Sequence, residues 1–252
     1  MRVLFVNPES GSADDALEEL ERAAEQRGIE VRDVRECDPS GAEVVGAAGG
    51  DGSLAGVAQV ALERDLPFVV VPMGTRNHFA KDLGLDPDDP VAALAAFDGS
   101  RERRVDVGRV NGRVFLNNVS LGAYAAAVHD EGEGALGPLT RWLLRFRRSP
   151  LKLVVDGETR NVLILLIGNN EYDGRGSRDE LDRGTLSAYL LERGRRLRLH
   201  RENRAGTRFT VYARSPRIQA AIDGEPVELD SPLRFELEPR ALRVKVADPE
   251  VS

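Results

Sequence analysis

Two glycine turns, each following an apolar run, constrain the fold of this chain most. The first is Gly49-Gly-Asp-Gly-Ser53, which follows the strand-like stretch Ala42–Ala48 and precedes apolar residues at helical spacing. The second is Gly74-Thr-Arg-Asn77, which follows the apolar run Pro67–Pro72. Strand, turn and helix in this order are typical of a parallel sheet whose strand ends meet at one edge.

Such turns present backbone N–H groups at the positive end of a helix dipole. Glycine permits positive φ and a close approach of an anion to the backbone. Ordinary strand–helix turns have a similar composition, but the second turn shifts the interpretation toward phosphate binding. The residues expected to take part are Gly49, Gly50, Gly52, Ser53, Gly74, Thr75 and Asn77, the last also as a helix cap.

The pattern of helix and strand signals in the sequence changes near residue 101. Strand-like and helical stretches alternate before it, whereas short strands dominate after it. Several of these are joined by hairpin turns of the Asn-Gly or Asp-Gly type, at Asn111, Asp156 and Asp223. We therefore predict an α/β domain with a parallel sheet over residues 1–100, and a mostly antiparallel β-sandwich domain over residues 101–252.

One connection is unusually short. Only seven residues separate Val34 from Ala42, whereas parallel neighbours need a crossover of about a dozen residues, usually helical. Either this crossover is a bare loop, or the two strands are not simple neighbours.

Charge and cysteine content narrow the function classes. The net charge of −7 argues against a general nucleic-acid-binding protein. The single cysteine, Cys37, excludes an intramolecular disulfide and a cysteine-rich zinc site. The chain starts directly with the strand-like Arg2–Val6 and has no apolar run near the roughly 20 residues that span a bilayer. We expect a cytoplasmic protein.

Six motifs occur in an order characteristic of one family: Asn7–Gly11, Gly49–Ser53, Pro72–Gly84, Asp106–Val110, Phe115–Gly122 and Asp223–Glu225. On these motifs the chain resembles diacylglycerol kinase catalytic domains, in particular the bacterial diacylglycerol, sphingosine and related lipid kinases. The resemblance implies an ATP-dependent kinase of a lipid hydroxyl, with diacylglycerol or a relative as acceptor and with ATP and magnesium in a cleft. It also implies that residues 1–100 form the nucleotide-binding domain and that residues 101–252 form the β-rich domain for the lipid substrate.

The resemblance also suggests roles for individual residues. It places a catalytic carboxylate near the chain end, so we assign Glu225, with Asp223 beside it, as the acid/base pair. Asp51, between two glycines, is expected to be exposed, and it either binds magnesium, accepts a proton or caps the following helix. Asn7 either contacts the nucleotide or caps its own turn. The other Asp-Gly-Glu triplet, at residues 156–158, is interpreted as a hairpin turn.

The chain departs from the family pattern at several positions. Ser53 replaces a threonine and His78 replaces an aspartate. Arg183 stands where a carboxylate would help to hold a second, structural magnesium, so Asp179, Glu180 and Asp182 are not expected to form that site. His129 and His200 are expected to be isolated surface residues. Which residues would bind a metal stays open.

Two other functions are compatible with the sequence. One is a kinase of a soluble substrate such as NAD, because NAD kinases share the Gly-Gly-Asp-Gly run. The other is a nucleotide- or lipid-binding protein without turnover, suggested by His78 and the short connection. The segment Arg141–Arg148 alternates arginine with apolar residues on a predicted helix, which favours either peripheral contact with a membrane surface or packing on the β domain.

Overall fold

The structure is a computed structural model that describes residues 1–8, 14–129, 151–173, 176–193 and 199–247. The helices are α1 (Asp14–Gln26), α2 (Asp51–Glu63), α3 (His78–Asp82), α4 (Pro90–Ala93) and α5 (Ala123–His129), with a 3₁₀ turn at Leu94–Phe97. The strands are β1 (Arg2–Val6), β2 (Glu30–Asp33), β3 (Val44–Gly49), β4 (Phe68–Pro72), β5 (Arg101–Val110), β6 (Arg113–Phe115), β7 (Asn118–Gly122), β8 (Leu151–Val155), β9 (Glu158–Asn169), β10 (Leu186–Arg193), β11 (Leu199–Gly206), β12 (Arg208–Ala213), β13 (Arg217–Ile222), β14 (Glu225–Asp230) and β15 (Leu233–Val246). The helix predicted around Arg141–Arg148 lies outside the described residues.

The chain divides into two compact units. Unit 1 contains Met1–Val107, Asp173–Asp182 and the C-terminal stretch from Pro239, and unit 2 contains Gly108–Tyr172 and Arg183–Glu238. The domain boundary drawn at residue 100 stays a prediction.

Unit 1 is built on a parallel sheet, as the sequence predicts. Its strand order is β4–β3–β1–β2, with α1 between β1 and β2 in the chain and α2 between β3 and β4. The apolar residues of α2 at helical spacing, Leu54, Val57, Ala58 and Ala61, are buried. Burying a large apolar side chain of this kind stabilises the fold by about 1.5–3 kcal/mol. This packing fixes where both glycine turns emerge from the sheet.

The short connection between β2 and β3 passes across β1. Strands β2 and β3 pair with opposite sides of β1, so they are not neighbours, and residues 34–43 form a bare loop. The Arg32 side chain holds this loop by donating hydrogen bonds to the carbonyls of Asp38 and Ser40. Hydrogen bonds from the side chain and backbone of Arg35 lower the pKa of Asp33 to about 2. Both alternatives raised by the sequence are therefore realised together.

Unit 2 is a largely antiparallel sheet. Its pairs include β13 with β7 and β14, β9 with β7, β8 and β10, and β12 with β8 and β15. The three Asn-Gly and Asp-Gly turns form hairpins, and both residues of each turn have positive φ: Asn111 49° and Gly112 83°, Asp156 47° and Gly157 85°, Asp223 49° and Gly224 89°. This geometry is that of type I′ turns. The sequence pattern did not predict β11 and β14, because both strands are rich in charged residues.

A buried ion pair ties a remote stretch of chain to α3. Arg178, in the stretch Asp173–Asp182, donates from Nε to Asp82 Oδ2 at 2.7 Å and from its backbone N to Asp82 Oδ1 at 3.2 Å. The exposed fractions of the two side chains are 0% for Arg178 and 5% for Asp82. Asp82 lies at the C-terminal end of α3, where the helix dipole disfavours a carboxylate. Its partner compensates for this.

Removal of Arg178 tests this contact. We expect Arg178→Met to lower the free energy of unfolding by about 3–5 kcal/mol, because Asp82 stays buried and loses its cation, with the backbone N–H of residue 178 as a remaining donor. The matched control is Arg183→Met, whose exposed pair with Glu171 spans 3.4 Å and is expected to contribute no more than about 1 kcal/mol. Urea denaturation measures both. Similar losses in the two variants would contradict a structural role specific to Arg178.

Candidate active site

Three parallel strand ends converge in unit 1. Gly49, at the end of β3, is in register with Pro72, at the end of β4, and Met73 N donates to Gly49 O at 3.1 Å. Asn7 directly follows β1, and its backbone N donates to Ala48 O at 3.0 Å. All the residues predicted to contact phosphate follow these strand ends. The sheet topology therefore brings them to one edge.

The two glycine turns pack backbone against backbone. A Cβ atom on Gly74 would lie 2.3 Å from Gly50 Cα, a separation that real Cβ atoms essentially never show. A Cβ on Gly49 would lie 2.8 Å from Ser53 Cβ. None of these glycines, nor Gly52, has positive φ. The glycines are therefore required for close approach rather than for an unusual backbone conformation.

Asn77 closes the second turn. Its Oδ1 accepts from Gly74 N at 2.8 Å and its Nδ2 donates to Gly74 O at 2.7 Å. The residue is buried, and its φ of 50° is in the left-handed region, which Asn tolerates better than most residues. Asn77 occupies the N-cap position of α3, but its side chain makes no cap hydrogen bond. Asn77 is therefore the helix cap by position, as expected, but not through its side chain. Because the Gly74 N–H is already bonded, the exposed Thr75 is the more accessible group of this turn.

Asp51 is buried, contrary to the expectation that its carboxylate is exposed. It is the first residue of α2, and 8% of its surface is exposed. Its Oδ2 accepts from His78 N at 3.2 Å, and its Oδ1 accepts from Phe79 N at 3.0 Å. These N–H groups belong to the first turn of α3, where they have no partner within the helix. Asp51 therefore caps α3, not the helix that it begins.

The remaining residues of this edge are also in contact. Asn7 Nδ2 donates to Ser53 Oγ at 2.9 Å. Gly50 is the N-cap of the 13-residue α2 and supplies no side-chain cap. His78 is exposed, and it is the backbone of this residue, not its imidazole, that bonds Asp51. The structure thus assembles Asn7, the 49–53 turn and the 74–77 turn into one polar patch within unit 1.

In unit 2, Asp223 holds a loop. Its Oδ2 accepts from Leu116 N at 2.8 Å, and its Oδ1 accepts from Asn117 N at 2.8 Å and Asn118 N at 2.9 Å. The residue is buried, with 7% exposed. Three hydrogen bonds to a carboxylate are charge-assisted and roughly twice as strong as neutral ones. Asp223 is therefore a clamp on the Leu116–Asn118 segment, and its catalytic role stays a prediction.

Glu225 has the opposite surroundings. It is the first residue of β14, is exposed, and pairs through the backbone with Ile222. Within the described parts of the chain, no hydrogen bond or ion pair engages its carboxylate. The Asp-Gly-Glu triplet thus contains one carboxylate that is bound by backbone amides and one that is accessible to solvent.

The sequence did not predict the buried asparagine that follows β9. Asn170 is fully buried at φ 67°, and among the described residues neither its Nδ2 nor its Oδ1 has a hydrogen-bond partner, although its backbone N donates to Thr185 O at 2.9 Å. Leaving a buried polar group unsatisfied costs about 1–3 kcal/mol. Nothing in the local sequence distinguishes this asparagine from an ordinary turn residue.

The triplet at residues 156–158 is a hairpin turn, as interpreted, but Glu158 is not without partners. Its carboxylate accepts hydrogen bonds from Arg204 and Arg160. Both bonds lower the pKa of Glu158 below its usual value, and the bond from Arg204 has the larger effect on the pKa. Asp156 Oδ1 accepts from Thr210 N at 2.9 Å. The carboxylate of Glu158 remains 58% exposed.

One group in the described residues has the ligand types of a metal site: Glu192, His200 and Glu202, with ligand atoms within 4.8 Å of one another. The expectation that His200 is isolated is wrong. Arg160 Nη1 lies 3.3 Å from Glu192 Oε2 and 3.0 Å from Glu202 Oε2. A cation would have to displace this guanidinium, so the group is an ion-pair network.

The sequence of this chain is similar to those of known proteins. The family model of the diacylglycerol kinase catalytic domain matches residues 2–110. A Pseudomonas aeruginosa protein named probable lipid kinase YegS-like is 33% identical over 88% of this chain and 83% of its own length. A Pseudomonas fluorescens protein of the same name is 30% identical over 88% of this chain and 84% of its own length. A diacylglycerol kinase of Mycobacterium tuberculosis is 29% identical over 54% of this chain and 49% of that protein.

A solved structure supports the fold. The crystal structure of a diacylglycerol kinase from Bacillus anthracis superposes with a TM-score of 0.69 at 18% identity, covering 99% of this chain and 97% of the other. The aligned relatives and the glycine turns at one edge of a parallel sheet lead to the same conclusion. This chain belongs to the diacylglycerol kinase catalytic-domain family of lipid kinases.

Proposed function

We propose that this protein transfers the γ-phosphoryl group of ATP to the hydroxyl of a lipid, with diacylglycerol or a close relative as acceptor. The observation that carries the proposal is the contact between the two glycine turns, which sets Gly50 against Gly74 at the carboxyl edge of a parallel sheet. Ligands of α/β sheets bind at this edge. The names of the aligned relatives favour a lipid acceptor over NAD or another soluble substrate.

The start of α2 is suited to the phosphates. This helix has 13 residues and no side-chain cap, so the N–H groups of its first turn are available to an anion. The hydroxyl of Ser53, bonded by Asn7, and that of the exposed Thr75 lie on the adjoining turns. Phosphoryl transfer depends chiefly on positioning and charge neutralisation. We assign the turns at residues 49–53 and 74–77 to the nucleotide.

Asp51 is the residue that we assign to magnesium. Each of its oxygens accepts one amide hydrogen bond, and a carboxylate oxygen has a second lone pair available. Hard oxygen ligands of this type fit Mg²⁺, which commonly binds through one or two carboxylates and the substrate phosphates. When bound, the ion would neutralise charge on the transferred group. Asp51 itself would be oriented for this by the first turn of α3.

Glu225 is the residue that we assign to the acceptor. Its accessible carboxylate can take the proton of the attacking hydroxyl, whereas Asp223 fixes the turn from which Glu225 emerges. The proposed base, Glu225, and the residue that anchors its turn, Asp223, thus lie within three residues of each other in the sequence. A nucleotide substrate and a lipid acceptor favour a cytoplasmic enzyme with peripheral access to the membrane. No helix in the described parts of the chain is long and apolar enough to cross a bilayer.

Incubation of the protein with labelled ATP, Mg²⁺ and a panel of lipid hydroxyls, with NAD alongside, tests the proposal. We expect label in diacylglycerol or a related lipid and none in NAD, because the proposed acceptor is a lipid. Labelled NAD would establish the alternative kinase. Nucleotide binding without any transfer would leave a binding protein and sink the proposal.

Asp51→Asn tests the assignment to magnesium. An amide can accept only through its oxygen and sets its NH₂ against one of the α3 amides, so we expect a loss of about 0.5–2 kcal/mol of stability together with loss of lipid phosphorylation. The control is Asp89→Asn, because Asp89 caps α4 through Ala92 N at 2.8 Å. It should keep wild-type turnover. Wild-type turnover in the folded Asp51 variant would make Asp51 a cap only.

The two Asp-Gly-Glu hairpins provide a matched pair of variants. We expect Glu225→Gln to slow lipid phosphorylation by roughly 10²–10⁴-fold, as for loss of a general base, with nucleotide affinity little altered. Glu158→Gln changes the residue at the same hairpin position and removes only the ion pairs of an exposed side chain. The rate of lipid phosphorylation by this variant should therefore not change. Initial rates and nucleotide titrations measure both. Equal rates would remove Glu225 from the mechanism.

A further inference from the structure

The outer face of β8 and β12 presents a basic and aromatic surface. Val154 of β8 lies directly opposite Tyr212 of β12. Lys152 precedes Val154 by two residues in β8, so these two side chains fall on one face of the sheet. Arg214 lies one residue beyond the end of β12, and it lines one cavity together with Lys152, Val154 and Tyr212. We call these four residues the β8–β12 face. The residues that alternate with them, such as Leu153 and Val211, are buried in the core of unit 2.

The cations of this face are unbalanced, although the protein carries a net charge of −7. Within the described residues neither Lys152 nor Arg214 has an ion-pair partner, and both are exposed. Two cavities of about 480 and 330 Å³ share Lys152 and Arg214 on their rims. No carboxylate is present among the described residues that line either cavity. The third cation there, Arg217, is paired with Glu228 and Asp230.

Tyr212 adds apolar surface between these cations. It is 48% exposed, and Met1 is the other large apolar side chain that is exposed in the described parts of the chain. A tyrosine combines an apolar ring with a polar tip, which is why it concentrates at membrane–water interfaces. Lysine and arginine beside it suit lipid phosphates.

We propose that the β8–β12 face docks the protein on the surface of a bilayer that contains anionic phospholipid. The inference extends the proposed function, since a lipid acceptor would be reached at such a surface. The unpaired cations fit a negatively charged surface. A second copy of this chain fits less well, because a two-fold contact through this face would oppose Lys152 and Arg214 to the same cations of the partner.

Vesicle co-sedimentation without ATP tests the proposal independently of turnover. The probes are phosphatidylcholine vesicles with and without about one third phosphatidylglycerol. We expect binding only to the anionic vesicles, and its loss near 1 M salt, where the screening length is about 3 Å. Binding that ignores both lipid charge and salt, or no binding of the wild-type protein, overturns the proposal.

Variants locate the surface. Lys152→Glu with Arg214→Glu should weaken binding to the anionic vesicles at least about tenfold, because each basic residue near the membrane surface adds to the affinity. Tyr212→Ser should weaken the binding further. The control with the same change in net charge is Arg104→Glu with Arg201→Glu, two exposed arginines without an ion pair in the described residues. It should retain most of the binding. An equal loss in the control overturns the proposal.

Two further readouts separate the possible outcomes. Thermal unfolding should show that all variants are folded, because every changed side chain is exposed. Light scattering should show the same mass for the wild-type protein and the Tyr212 variant, whereas dissociation of a dimer by Tyr212→Ser would identify a second copy as the occupant and overturn the proposal. Vesicle binding that survives a failed kinase assay rejects the proposed function alone, and kinase activity without the expected binding rejects the docking face alone.

Discussion

The two hydrogen bonds that Asp51 accepts from the first amides of α3 join the two glycine turns. They link the turn after β3 to the helix after β4, while Gly50 and Gly74 pack beneath them without side chains. Asn77 then closes the second turn through both atoms of its amide. A change at any one of these residues therefore alters the position of the others. These contacts together fix the relative positions of the two glycine turns.

Burial distinguishes four acidic residues of the two units. Asp223 and Asp82 are committed to neighbouring groups, the first to three amides and the second to Arg178. Glu225 is exposed and engaged by no described side chain. Asp51 combines both conditions, because it is buried by a helix end and still has lone pairs to offer. Similar carboxylates thus take different roles according to what surrounds them.

Features that depend on neighbouring residues in the sequence were predictable, and features that depend on distant partners were not. The hairpin turns follow from Asn-Gly and Asp-Gly pairs, and the parallel sheet follows from alternating apolar runs and helices. The burial of Asp51 depends on Phe79, 28 residues away, and that of Asp82 depends on Arg178, 96 residues away. Strands β11 and β14 are charged and take their conformation from pairing with β10 and β13. Local composition contains no signal for such contacts.

Unit 1 is built from three separate stretches of chain, and this affects the order in which its sheet can form. Val244, near the end of β15, pairs with Phe68 of β4, and a Cβ on Gly99 would lie 2.4 Å from Val246 O. A ribosome must therefore synthesise the chain as far as Val244 before β4 gains this partner. Expression of the first hundred residues alone would leave this side of β4 as an unpaired edge.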